Sequence, residues 1–118
     1  MALLSTTGEN QALDALTGGA TNVLAFVQCH TGAGTGTTGA NEYAGVTRQA
    51  SSWGAASSGA KANTTALTFT TSGATPVTQL GMWSALTTGT FGIGAPLGAS
   101  VTAATITVAA GAISLTAT

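Results

Sequence analysis

The chain has 118 residues and a mass of 11.3 kDa, enough for one domain with one modest core. Only Glu9, Asp14, Glu42, Arg48 and Lys61 are charged, 4% where soluble domains average about 25%, yet 44% of residues are hydrophobic, which excludes a charge-rich disordered chain. Two cations cannot neutralise a run of phosphates, the 17 glycines show no three-residue period, and Cys29 stands alone, so electrostatic nucleic-acid binding, a collagen-like rod and an internal disulfide are excluded as well.

Met1–Leu4 is short and lacks a basic flank, so no secretory signal is read there, and synthesis in a reducing bacterial cytoplasm is expected. Gly8–Leu16 is the one helix candidate: Leu13 and Leu16 share a face, Thr7 is placed to cap the start, and Gly18–Gly19 to end it. About two turns of helix are marginal alone, so the element must dock, on its own sheet or on a neighbour. Asn22–Cys29 reads as a buried strand. His30–Ala40, made of Gly and Thr with two alanines after its histidine, reads as an exposed flexible loop.

Order resumes over Tyr43–Trp53, with Val46, Arg48 and Ala50 on one face and Thr47, Gln49 and Trp53 near the other. Gly54–Lys61 reads as a turn. In Asn63–Thr70, Leu67 and Phe69 point inward and Thr68 and Thr70 outward. Val77–Leu86 is a strand whose Gly81 marks a bulge or a close approach. Thr90–Leu97 alternates Phe91, Ile93 and Ala95 with glycines. Val101–Val108 and Ala112–Thr116 bracket a turn at Ala109–Gly111, with Ile106, Val108, Ile113 and Leu115 inward. The charge-free stretch from Ala62 to Thr118 is broken throughout by Thr, Ser and Gly, so it is not a membrane span.

Seven or so short strands between turn signals predict an all-β fold, an antiparallel β-sandwich or jelly roll with one short N-terminal helix. The expected organisation is a single domain over 1–118, with an N-terminal arm and helix at 1–21 and a β-sandwich at 22–118 whose flexible loop spans 30–41. Ala, Thr and Gly supply 24, 24 and 17 residues, so the outer face is written in Thr and Ser rather than Lys and Glu. A neutral exterior favours association, and the economical reading is that other protein covers much of it.

Few residues are available for chemistry. Glu9 and Asp14, five apart on a helix, make a poor acid/base pair, and adjacent Cys29 and His30 face opposite sides of a strand, so Cys29 is read as a small buried thiol. A metal site from Cys29, His30 and Glu42 is disfavoured, and Gly32–Gly39 lacks the Gly-Lys-Ser/Thr of a phosphate loop. No catalytic, cofactor or metal residue is assigned. Arg48 invites two readings: a pair with Glu42 or bonds to loop carbonyls, or a side chain crossing a subunit boundary. Trp83 is read as core and Trp53 as core edge or interface, with sugar stacking by an exposed Trp as a further alternative.

The run Asn41-Glu42-Tyr43-Ala44-Gly45-Val46-Thr47-Arg48-Gln49-Ala50, followed by Trp53-Gly54-Ala55-Ala56-Ser57, resembles a family of short virion structural proteins of tailed bacteriophages. Asn63–Phe69, Gly81-Met82-Trp83-Ser84-Ala85 and the closing stretch to Leu115 resemble further segments of that family in the same order. Val46 stands where the family usually has an aromatic. The resemblance implies a non-enzymatic virion protein, with Glu42, Tyr43, Arg48, Gln49, Trp53 and Trp83 as interface or structural candidates. The first expectation is a capsid decoration protein, a homotrimer clamping the major capsid protein. The alternative is a minor tail or tail-fibre-associated protein contacting a tail protein of the same phage, and a receptor- or carbohydrate-binding module comes third. No cofactor, nucleic acid or membrane partner is expected.

Overall fold

The structure, a computed structural model, describes residues 5–18, 23–34 and 39–117. The Met1–Leu4 arm, Gly19, Asn22 and the centre of the Gly/Thr loop at 35–38 lie outside the described residues. Helix α1 runs Thr6–Gly18. Its cap is Ser5 rather than Thr7: the Gly8 N–H donates to Ser5 Oγ at 3.3 Å and the Glu9 N–H to Ser5 O at 2.9 Å, which places Thr7 inside the first turn. Leu13 is buried, while Leu16, expected inward, is 36% exposed.

Strand β1 (Phe26–His30) is buried along almost its whole length. It lies inside a four-stranded antiparallel sheet with β2 (Gln49–Ala50), β5 (Val77–Trp83) and β6 (Phe91–Val101), in the order β2-β1-β5-β6. Two ribbons complete the fold. In one, β4 (Leu67–Thr70) pairs with β7 (Thr105–Val108), setting Phe69 against Ile106; in the other, β3 (Ala60–Ala62) pairs with β8 (Ser114–Thr116). Leu67, Phe69 and Ile106 from the first ribbon share one core with Val27, Cys29, Val77 and Met82 from the sheet, joined by Leu24, Tyr43 and Val46. Each such buried aliphatic or aromatic side chain contributes about 1.5–3 kcal/mol. The fold is all-β and antiparallel with one short helix, as the alternation of apolar residues and Thr predicts.

Several segments depart from expectation for identifiable reasons. Tyr43–Trp53 alternates at Val46, Thr47 and Arg48 (buried, exposed, buried) but joins the sheet only at β2, because Gly45 at φ +80° turns the chain, and Ala50, placed on the face of Val46 and Arg48, is exposed where they are buried. The turn expected at Gly54–Lys61 is confined to Ser57–Ala60, where Ser58 and Gly59 take positive φ, so Lys61 is a buried strand residue. Gly81 carries no bulge itself; the register slips on either side of it, between Val77 and Gln79 and between Met82 and Trp83. The second slip leaves Gly92 unmatched, and Ala95, in the edge strand of the described sheet, is exposed. The turn at Ala109–Gly111 does not make a hairpin: it carries the chain from the β4–β7 ribbon to the β3–β8 ribbon.

The described ends of the Gly/Thr loop are only partly exposed: Ala33 and Ala40 are open to solvent while their neighbours are covered. His30 is 1% exposed, Gly39 is buried, and the Thr31 N–H donates to Asn41 O at 2.9 Å.

Candidate functional site

Strand β1 presents Gln28 and His30, the chain returns at Glu42, and Arg48 reaches back from the entry to β2. These residues form one network. Arg48 Nε–H donates to Glu42 Oε2 at 2.6 Å and Nη2 to Oε1 at 3.1 Å, a two-pronged pair that matches guanidinium to carboxylate. Nη1 donates to Ala85 O at 2.9 Å and Thr88 O at 2.6 Å, pinning the turn after β5. The guanidinium carbon lies 3.6 Å from the Trp83 ring centroid, a cation–π contact shielded from water. Both intramolecular readings of Arg48 therefore hold together, and with 6% of its side chain exposed it is turned inward rather than toward a neighbour.

Gln28 completes the network, donating Nε2 to Val46 O at 2.7 Å and to Glu42 Oε2 at 3.3 Å. Burial alone would raise the Glu42 pKa; the Arg48 hydrogen bonds and charge, with help from Gln28, outweigh it and hold the carboxyl below its ordinary value. Behind the guanidinium, Trp83 stacks near His30 at 6.0 Å between ring centroids and meets Phe91 edge-on at 5.5 Å.

The other singled-out residues sit apart. Tyr43 is buried and shares a 2.8 Å hydrogen bond with Ser72 Oγ. Gln49 is half-buried with its amide on Thr47 O at 3.1 Å. Trp53 is half-buried, donating Nε1–H to Ser51 Oγ at 2.8 Å. Trp83 is core, as expected.

A second network escaped sequence reading. Lys61, with 4% of its side chain exposed, donates to Asp14 Oδ1 at 2.8 Å and Thr17 Oγ1 at 2.6 Å, while Asn10 accepts the Gly59 N–H at 2.9 Å. The Lys61 hydrogen bond, then the Ala56 N–H, lower the Asp14 pKa. These contacts dock α1 on the β3–β8 ribbon of its own chain. Asn63, also buried, ties Thr65, Ala109 and Ile113 together. The available signal for Lys61 was arithmetic: one of only two cations in a chain this poor in charge needs a carboxylate.

The exterior follows from this inventory. Both cations are paired inside the chain, and of the five charged residues Glu9 alone has no ion pair among the described residues. Among the described residues no aromatic side chain is fully exposed, and the large apolar ones that are exposed are Leu16, Leu86 and Val101. An open cleft of about 650 Å³ lies between Glu42–Arg48 and Leu86–Thr88. An apolar groove of about 270 Å³ is lined by Leu80, Ile93, Leu97, Ile113 and Leu115 among others. Burial raises the Cys29 thiol to about 11, far from a thiolate nucleophile at neutral pH. Among the described residues no three His, Cys, Asp or Glu side chains gather into a metal site, and no helix is long and apolar enough to cross a membrane.

No curated protein matches the chain in sequence. The sequence model of one family, described as Podophage GP4 fiber I protein gp80, matches residues 3–116.

Proposed function

The chain belongs to the podophage GP4 fibre I protein gp80 family and is a phage virion structural protein, and from that premise we propose that it is a building block of the tail fibre or of the part of the tail that carries it. The observation that carries this reading is the family match over nearly the whole chain. It favours the tail-fibre alternative over capsid decoration, which was the first expectation from sequence.

The way the charges are used supports a packing role. A protein that recognises a charged partner keeps cations or carboxylates at its surface; here Arg48 and Lys61 are both buried in intramolecular pairs. What remains outside is mostly Thr, Ser, Ala and Gly, which other polypeptide can cover at a lower desolvation cost than ionised side chains. The proposed partners are further copies of this chain, arranged as a homotrimer, and a tail protein of the same phage. Closed symmetry would cover the neutral faces without open-ended growth. The mechanism is mass action: contacts made only in the assembled fibre stabilise it without chemistry. Sugar stacking has no support in the aromatic residues, none of which is fully exposed.

Quantitative mass spectrometry of purified virions tests the proposal, paired with gold-labelled antibody. A low copy number with label at the tail is expected. Hundreds of copies with label over the head would restore the decoration reading, and absence from mature particles would remove both.

A further inference from the structure

We infer that His30 is an acid-sensitive latch, fastening Gly39–Asn41 against the Trp83–Phe91 aromatic pair while its ring is neutral and releasing them when it gains a proton. The inference is independent of where in the virion the protein sits.

Both ring nitrogens are used in the way that only a neutral imidazole permits. An indole N–H is solely a donor, so the 3.3 Å contact from Trp83 Nε1 requires a bare, accepting Nε2. A backbone carbonyl is solely an acceptor, so the 3.0 Å contact to Ala40 O requires a proton on Nδ1. These two partners fix the tautomer. The ring has little room to move: a Cβ at Gly81 would come within 2.5 Å of Nε2, so only glycine fits across the strand.

The latch holds backbone flat on aromatic rings. A Cβ on Gly39 would meet Trp83 at 2.5 Å, and one on Gly34 would meet Phe91 at 2.5 Å. The ends of the segment are tied by the Thr31 N–H to Asn41 O at 2.9 Å and Asn41 Nδ2 to Ala33 O at 2.9 Å. The side-chain bond from β1 to this segment runs from His30 Nδ1–H to Ala40 O and survives protonation, so a ring driven off Trp83 takes the segment with it.

Protonation puts an N–H on Nε2, facing the indole N–H. Two donors then point at each other and the bond is lost. It also places a cation, 1% exposed, beside the indole whose face already holds the Arg48 guanidinium. Glu42, paired with His30 across the strand bridge, is the one opposing charge, and its oxygens already accept from Arg48 and Gln28. Asp14 and Lys61 are engaged at α1 and β3, and Glu9 lies beside Gly59, so Glu42 and Arg48 are the charged groups that face the ring.

The sign follows from these surroundings. Burial first, and Arg48 after it, lower the His30 pKa below its ordinary 6.5, against the opposing pull of Ala40 O and Glu42. The closed form thus binds fewer protons than the open form. It is fully favoured above about pH 6.5 and loses ground as the pH falls below that value.

Acrylamide quenching in a Trp53→Phe background isolates Trp83, since the chain has two tryptophans. Between pH 7.5 and 5 the quenching constant is expected to rise several-fold, and in Trp53→Phe/His30→Gln, which cannot charge, to stay flat. A flat response in the parent, or an unchanged acid response in the His30→Gln variant, overturns the latch. Should His30→Gln fail to fold, ¹⁵N NMR of the wild-type ring decides. A bare Nε2 at pH 7.5 with a titration midpoint below 6.5 supports the inference, and an Nε2–H tautomer or a midpoint above 6.5 overturns it.

Discussion

Arg48 and Lys61 each join segments far apart in the chain, and each does so from a buried position. For Arg48 the planar fork is essential, because four hydrogen bonds and a stacked indole use its geometry as well as its charge. Lysine is a point charge with no plane to stack. We therefore expect Arg48→Lys to be far from conservative, and Arg48→Ala to destabilise by about 3–5 kcal/mol in urea unfolding, since it strands Glu42 and two carbonyls. A loss within 1 kcal/mol for Arg48→Ala would mean that the network is decorative. Thr78 makes the opposite prediction. Its hydroxyl is buried without a hydrogen-bond partner among the described residues, so Thr78→Val removes an unmet cost at constant shape. Its melting temperature should equal or exceed that of the parent; a clear drop would reveal a partner for the hydroxyl.

At the scale of elements, the docking of α1 rests on the asymmetry of one ion pair: the Lys61 side chain is 4% exposed and that of Asp14 50%. Lys61→Met, which removes the buried charge and keeps the stem, should stay within about 1 kcal/mol of the parent. Asp14→Ala leaves the ammonium buried with only Thr17 for company and should be the more damaging of the two. The reverse order in thermal melts would place the stabilising contact elsewhere.

These elements also mark what the sequence could reveal. The alternation of Leu67 and Phe69 with Thr68 and Thr70 was legible because one face of β4 is covered and the other wet. The Arg48–Glu42 pair was legible because charges are so few. Helix capping was misread by two residues, since Ser5, Thr6 and Thr7 are chemically near-equivalent caps and tertiary contacts choose among them. The close approach of Gly34 and Gly39 to Phe91 and Trp83 was not legible, because glycine signals flexibility and close approach alike. The buried roles of Gln28, His30 and Asn63 depend on partners 10 to 53 residues away, which no local pattern encodes.

For the whole molecule, the pKa shifts of Glu42, Asp14 and His30 share one sign in their effect. Glu42 and Asp14 are lowered, so their contributions are present above their ordinary values of 4.5 and 3.8 and lost as the pH falls through the lower folded values. His30 is lowered too, and its neutral form is disfavoured progressively below 6.5. Stability should be flat from about pH 7 to 8 and decline in two stages on acidification, the first between pH 6.5 and 5. Urea midpoints across pH 8 to 3 check this; a stability maximum at pH 5 would contradict it.

The broader consequence of spending both cations internally is a fibre-family domain with an almost uncharged exterior, suited to lie against other polypeptide. A cryo-electron-microscopy reconstruction of the intact virion, focused on the tail, tests that claim most directly. It should place this domain in the fibre region with its Thr- and Ala-rich faces, including β6, against neighbouring subunits. A domain standing alone with those faces in solvent, or no density for it in the tail, would contradict the account.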